Sequence, residues 1–185
     1  FARIFMERFP LLPVEEDGRL HDPALRENFI DRIFTYKRYR ESMDGKNRRA
    51  SLVDFHARHK LLLMAHSPKH LKQMGQLVAH GKELSTGELA ERYERLLLEA
   101  MALKSTPAKQ VNVLHHIMGY FRNNLSADET RELVEVIDEY RRGLIPLIVP
   151  ATLLNHYVRK YDEPYLKEQV YLNPHPLELQ LRNHV

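Results

Sequence analysis

Helix-starting signals recur along this chain at intervals of one helix length. Asp22-Pro23, Ser67-Pro68 and Thr106-Pro107 each set an N-capping side chain before a proline. Proline suits the first helical position because its φ is already helical and its missing N–H would be unpaired there anyway. Ser51-x-x-Asp54, Ser85-x-x-Glu88 and Ser126-x-x-Glu129 have capping-box spacing, in which two side chains satisfy two backbone donors reciprocally. Gly81 and Gly143 stand where a left-handed residue can close a helix. Between these marks apolar residues keep helical spacing, as in Leu89, Tyr93, Leu96, Leu97, Ala100 and Leu103, or Leu133, Val134, Ile137 and Tyr140. Nothing alternates with period two over the length of a strand. The expected fold is all-α, a single multi-helix bundle of seven to eight helices with short connections. The helices are expected over 22–42, 51–64, 67–81, 85–103, 106–124, 126–143, 146–161 with a kink at Pro150, and 164–172, followed by a tail.

A chain of 185 residues with 43% hydrophobic and 29% charged residues can bury a real core. It has no cysteine. Disulfides, thiolate metal sites, iron–sulfur ligation and cysteine nucleophiles are therefore excluded in this chain. No apolar run approaches the roughly 18 residues of a membrane span. The longest, Leu144 to Leu154, is broken by Pro146, Pro150 and Thr152. A soluble, cytoplasmic protein is expected. The first residue is Phe1, and Pro10, Pro13 and Glu15-Glu16-Asp17-Gly18 read as a loop. Residues 1–21 are thus expected to be a linker or the C-terminal edge of a preceding domain, and residues 22–185 the helical domain.

The net charge of +3 conceals a sorting. Between Lys37 and Lys82 eleven Lys and Arg stand against Glu41, Asp44 and Asp54, so this stretch is strongly positive while the remainder is negative. Five of the eleven histidines also lie there. A positive face of this kind suits a polyanion. Its candidates are Lys37, Arg38, Tyr39 and Arg40, then Lys46, Arg48 and Arg49, then Arg58, Lys60, His66, Lys69 and Lys72. Cations hold phosphates, and rings such as Tyr36, Tyr39 or Tyr120 can stack on unpaired bases, with His116 beside Tyr120 a further RNA-binding candidate. The plainer alternative is a solvated helix end whose aromatics are core.

His56/His59 and His66/His70 have spacings at which metal-ligating pairs share a helix face. No acid occurs between Phe55 and Lys82, however, so a cation would sit among cations; no metal and no cofactor are expected. Asn112 and His116 share a face with Gly119 and Tyr120, which reads as a buried polar lock or a pocket. Arg122, Arg141 and Arg142 add donors suited to phosphate. There is no Ser/His/Asp spacing, no glycine-rich phosphate loop and no paired carboxylate signature, so no catalytic residue is assigned. Two rival readings are a protein-interaction domain docking its basic face on an acidic surface, and an enzyme using His56, His116 or His156.

Several segments together resemble the YbgA-like domain family. They are Leu52-Val53-Asp54-Phe55-His56-Ala57-Arg58-His59-Lys60-Leu61 with Ala65-His66-Ser67, Asn112-Val113-Leu114 with His116, and Gly119-Tyr120-Phe121-Arg122. Ile137-Asp138, Tyr140-Arg141-Arg142-Gly143, Pro146, His156-Tyr157, Gln169 and Tyr171 continue the pattern. Residues 9–29 look like the junction found where such a domain follows a thiouracil-desulfurase-like domain. The resemblance implies that an N-terminal desulfidase-like domain carries the iron–sulfur chemistry. It further implies that this half binds RNA, tRNA being the expected kind, and presents thiolated nucleosides.

Overall fold

Caps decide where the helices begin. In the computed structural model, which describes residues 2–9 and 12–183, the chain forms ten α-helices and two 3-10 turns, with no strand among the described residues. They are α1 (Ala2–Arg8), α2 (Pro23–Met43), α3 (Arg48–His66), α4 (Pro68–Ala79), α5 (Thr86–Ala102), α6 (Pro107–Gly119), α7 (Ala127–Arg141), α8 (Ile148–Lys160), α9 (Pro164–Lys167) and α10 (Pro176–Asn183). The 3-10 turns are Asp17–His21 and Gly81–Glu83. Asp22 accepts from the amides of Ala24 and Leu25, and Ser85 and Ser126 complete full capping boxes with Glu88 and Glu129. At the other end of α7, Gly143 adopts φ +74°, and the Leu144 amide donates to the Glu139 carbonyl at 3.0 Å. That is a left-handed stop which only glycine adopts without strain.

Several boundaries differ from expectation, and α6 and α9 end at Gly119 and Lys167 instead of near residues 124 and 172. α3 begins three residues before Ser51, because Asn47 caps it by accepting from the Ala50 amide at 3.4 Å. Pro150 does not kink α8: the helix starts at Ile148, so the proline falls in the first turn, where its N–H has no partner to lose. Residues 173–183, expected as tail, include α10. In the front stretch, α1 and a 3-10 turn stand where a loop was expected, and Arg32 donates to the Leu12 carbonyl at 3.3 Å. Pro10, named with that loop, lies outside the described residues.

α3 organises the molecule because both of its faces are buried. Leu61 and Ala65 join Val113, Leu114, Ile117, Leu133, Ile137, Leu154 and Val158 in one core, against α6, α7 and α8. Leu52, Phe55, Leu62 and Leu63 join Tyr39, Met74, Tyr93, Leu97 and Met101 in the other, against α2, α4 and α5. Each fully buried leucine stabilises the fold by about 1.5–3 kcal/mol through apolar burial. The C-terminal segment is pinned to the same helix. Gln169, 1% exposed, donates to the Ala57 carbonyl at 2.9 Å and accepts from the Leu61 amide at 3.3 Å. Its amide thus engages both ends of one i,i+4 pair of the α3 ladder. The Val170 amide donates to the neighbouring Arg58 carbonyl at 3.1 Å.

Candidate functional site

Much of the basic segment is spent inside the fold. Tyr39 is 1% exposed; its hydroxyl donates to the Ala90 carbonyl at 2.8 Å, and burial pushes the phenol well up. It is core, and the expectation that it stacks on a base is corrected. Arg38 is ion-paired with the fully buried Glu178 of α10 and lies 5.8 Å from the Phe34 ring. Arg49 is half-buried and donates to the carbonyls of Gly81 and Leu84 and, at 3.1 Å, to Thr86 Oγ1. It caps the α4–α5 connection, so its expected phosphate contact is corrected as well. Arg40 donates to the Tyr36 hydroxyl at 3.3 Å, Lys37 faces Glu41 at 3.6 Å, and Arg58 pairs with Glu168 at 3.0 Å.

The remaining cations stay in solvent. Lys46 and Arg48, at the α2–α3 turn, and Lys60, Lys69 and Lys72 are exposed, and none makes an ion pair among the described residues. α3 and α4 turn back on one another at Ser67. A Cβ on Gly75 would lie 3.6 Å from His56 Nε2, which sets the register of the pair. Lys60 lies one turn nearer that corner than His56 on α3, and Lys72 and Lys69 lie between Gly75 and the corner on α4. His116, Tyr120 and Arg122 form a second exposed group at the end of α6. Tyr120 stacks on Tyr165 with ring centroids 5.5 Å apart, and His116 meets its edge at 5.6 Å. Burial pushes the Tyr165 hydroxyl up to about 12. Arg141 and Arg142 are exposed but face Asp138.

The histidines divide between core and surface. His56 Nδ1 shares a hydrogen bond of 3.1 Å with the Tyr93 hydroxyl, and burial, aided by Lys60, lowers its pKa to about 4. His59 donates from Nδ1 to the Phe55 carbonyl at 2.8 Å and stacks on the Phe55 ring at 3.8 Å. Burial lowers its pKa to about 3, and its Nε2 has no hydrogen-bond partner among the described residues. At neutral pH neither adds charge to the basic face. His66 is completely buried, so its expected place beside a phosphate is corrected too. Asn112, His115, His116 and His156 are exposed, which removes the buried lock expected at Asn112 and His116. Among the described residues no group of three or more His, Asp or Glu is placed to hold a metal ion.

The polar lock lies elsewhere. His66 Nδ1 is 2.7 Å from the Leu103 carbonyl, which can only accept, so this nitrogen carries a proton. Nε2 lies 3.2 Å from Asp31 Oδ2. Asn28 donates to the Met101 carbonyl at 3.1 Å, and Lys109 donates to the His66 carbonyl at 2.7 Å. Four helices, α2, α3, α5 and α6, meet in this network. The sequence signal for it was faint: Asn28, Asp31, Thr35 and Tyr39 keep the spacing of a buried helix face but are polar, so hydrophobic periodicity passes over them.

Asp31 also borders a cavity of about 350 Å³. Glu27 and Asp31 of α2 form one wall, and Ile148, Ala151, Thr152, Asn155 and Arg159 of α8 another. Leu62 and Gln110 close the interior, with Tyr171, Leu172 and Leu179 from the C-terminal segment at one end. The Tyr171 hydroxyl is 2.6 Å from Gln110 Oε1 and donates to it. Burial, with Glu27 nearby, pushes the adjoining Tyr140 hydroxyl up to about 12.

Residues 60–176 match a family described as "Protein of unknown function (DUF1722)". The chain is 30% identical over 158 residues to "Uncharacterized protein YbgA" of Escherichia coli (strain K12), covering 85% of this chain and 94% of that protein. No solved structure matches. The chain belongs to this YbgA-like family. The family match runs from the last turns of α3 to the first residue of α10, and so takes in the Gln169 clamp and the α8 wall of the cavity. No helix of the described residues is long and apolar enough to cross a membrane.

Proposed function

We propose that this chain is an RNA-binding accessory domain, with tRNA its expected ligand. It acts in the cytoplasm beside an N-terminal desulfidase-like domain, to which it presents thiolated nucleosides. The chemistry and its cofactor belong to that partner; this chain supplies binding. One observation carries the reading: Lys60 of α3 and Lys69 and Lys72 of α4 are all exposed and outside any ion pair among the described residues, within a stretch free of acids from Phe55 to Lys82. Cations without protein partners are those available to release counterions from a phosphate backbone. Lys46 and Arg48 extend the contact, and Tyr120, already stacked on Tyr165, offers a face for an unpaired base.

The test is tRNA binding across a salt series. The variant Lys60→Ala/Lys69→Ala/Lys72→Ala should flatten the log–log salt slope by about 2–3, at roughly 0.7–0.9 per phosphate contact. Binding and slope equal to the parent's would refute the assignment of this edge.

A further inference from the structure

We infer that the Arg38–Glu178 pair is a phosphate-binding site held shut by the chain's own carboxylate, and that α10 is a strap which a ligand phosphate displaces. The inference deepens the RNA reading above and rests on it for the source of that phosphate. Three glutamates accept from the backbone amide three residues before them: Glu88 from Ser85 at 3.0 Å, Glu129 from Ser126 at 2.8 Å and Glu178 from His175 at 3.3 Å. Such capping needs no burial, and Glu88 and Glu129 keep their side chains in contact with water. Of the three, only Glu178 is fully buried, against Arg38 of α2. Taking a carboxylate and a guanidinium out of water cancels much of their mutual attraction. Helix capping therefore does not account for this pair.

α10 is placed to come away. Its eight residues fall short of the roughly 12–15 that a helix needs to hold by itself in water, so it persists only while docked. It leaves Leu177 and Leu181 exposed and turns inward Glu178 and Leu179, the latter at one end of the cavity beside α2. Phe34 stacks on His175 with ring centroids 6.2 Å apart, so the start of α10 lies along the turn of α2 that carries Thr35 and Arg38. On that turn donors go unanswered. Arg38 donates from Nη2 to Glu178, but its Nη1 has no hydrogen-bond partner among the described residues. Neither has the Oγ1 of Thr35, a residue only 1% exposed. Buried donors without acceptors are costly, so the docked state is weakened by the contacts it fails to complete. A phosphate can complete them: it accepts from both Nη1 and Nη2 of one guanidinium and has a further oxygen for a hydroxyl. Glu178, once released, regains its hydration. Arg38 then rejoins the positive stretch that begins at Lys37.

The experiment is a double-mutant cycle on the whole chain, read by tRNA affinity, with amide exchange at Leu179 and Leu181 reporting the strap. Apparent affinity falls with the fraction of molecules in which a site is shut, so loosening the strap should raise it. Glu178→Gln keeps an acceptor for Arg38 but removes the charge; it should tighten tRNA binding about fivefold or more and speed exchange in α10. Leu179→Ala loosens the same helix without a change of charge and should act in the same direction. Thermal melts check that each variant folds, and Leu179→Ala carries the cycle by itself if Glu178→Gln does not. In an Arg38→Gln background neither change should tighten binding, because the cation that the strap covers is gone. Inorganic phosphate, titrated against sodium chloride at equal ionic strength, separates the two sources of the ligand. Faster α10 exchange with phosphate in the parent but not in Arg38→Gln, with tRNA bound by no variant, supports the strap with free phosphate as its ligand and overturns the RNA reading alone. Tightening that persists in the Arg38→Gln background is a bare charge effect and overturns the strap. So does a tRNA affinity that neither Glu178→Gln nor Leu179→Ala moves, or α10 exchange that neither tRNA nor phosphate alters.

Discussion

The two faces of α3 are buried by different means. Toward α6, α7 and α8 the core is mostly aliphatic, with the rings of Phe121 and Tyr157 buried among the leucines, valines and isoleucines and further tyrosines at its rim. Toward α2, α4 and α5 the packing includes Tyr39, Tyr93, His56 and His59, and next to them the network of Asn28, Asp31 and His66. An aliphatic core supplies driving force but tolerates small shifts of one helix along another. A hydrogen-bonded network allows only the register in which each donor meets its acceptor, since a buried polar group left unpaired is costly. The difference places the precise interface at α2, where the cavity carboxylates stand, and the bulk of the hydrophobic stabilisation on the other side.

Breaking the network is the harshest way to test that contrast. Asp31→Ala leaves a buried, proton-bearing imidazole without its partner, and chemical denaturation should show a loss of about 3–5 kcal/mol. If the loss is below that of an ordinary surface change, the network does not hold the α2 register. On the aliphatic face, Leu114→Ala removes a fully buried side chain and should lose about 2–5 kcal/mol through lost transfer and a cavity. The two faces should also differ in their response to acid. His56 and His59 have folded-state pKa values of about 4 and 3, below the ordinary 6.5. Between those values the unfolded chain binds more protons than the folded one, so stability falls as pH drops from 6.5 toward 4, by about 2 kcal/mol per imidazole at pH 5. His56→Phe should make the melting curve less sensitive to pH in that window; an unchanged dependence would show that these imidazoles are not what acid attacks. Gln169→Ala, which frees the C-terminal segment from α3, should lose about 1–2 kcal/mol and raise amide exchange at Leu61. Smallest of all, Lys160→Ala removes an exposed pair with Glu129 on the aliphatic side and should leave the melting temperature unchanged at moderate salt.

The fold was legible where it depended on local chemistry. Asp22-Pro23, the capping boxes at Ser85 and Ser126, and Gly143 act within one helical turn, and each marks the boundary it signals. The departures have equally local causes: Asn47 outcompetes Ser51 as a cap, and Pro150 is harmless once α8 begins at Ile148. The basic segment was legible as composition but not as a surface. Arg49 and Arg38 read like Lys60 and Lys72 in the sequence, yet the first two are drawn inward by the Gly81 and Leu84 carbonyls and by Glu178.

By itself, then, the sequence determined the helices, their caps, the all-α class and the sorting of charge between residues 37 and 82, because all of these arise from neighbours along the chain. Only the tertiary structure decided which cations remain in solvent, that Tyr39 and His66 are core, and that Glu27 and Asp31 face a cavity with Arg159. Those outcomes depend on partners tens of residues away: Asp31 meets a histidine of α3, Arg38 a glutamate of α10, and Gln169 the backbone of α3. No spacing within one helix encodes such meetings. They follow from how the helices pack, and packing is where the buried polar groups of this chain find their partners.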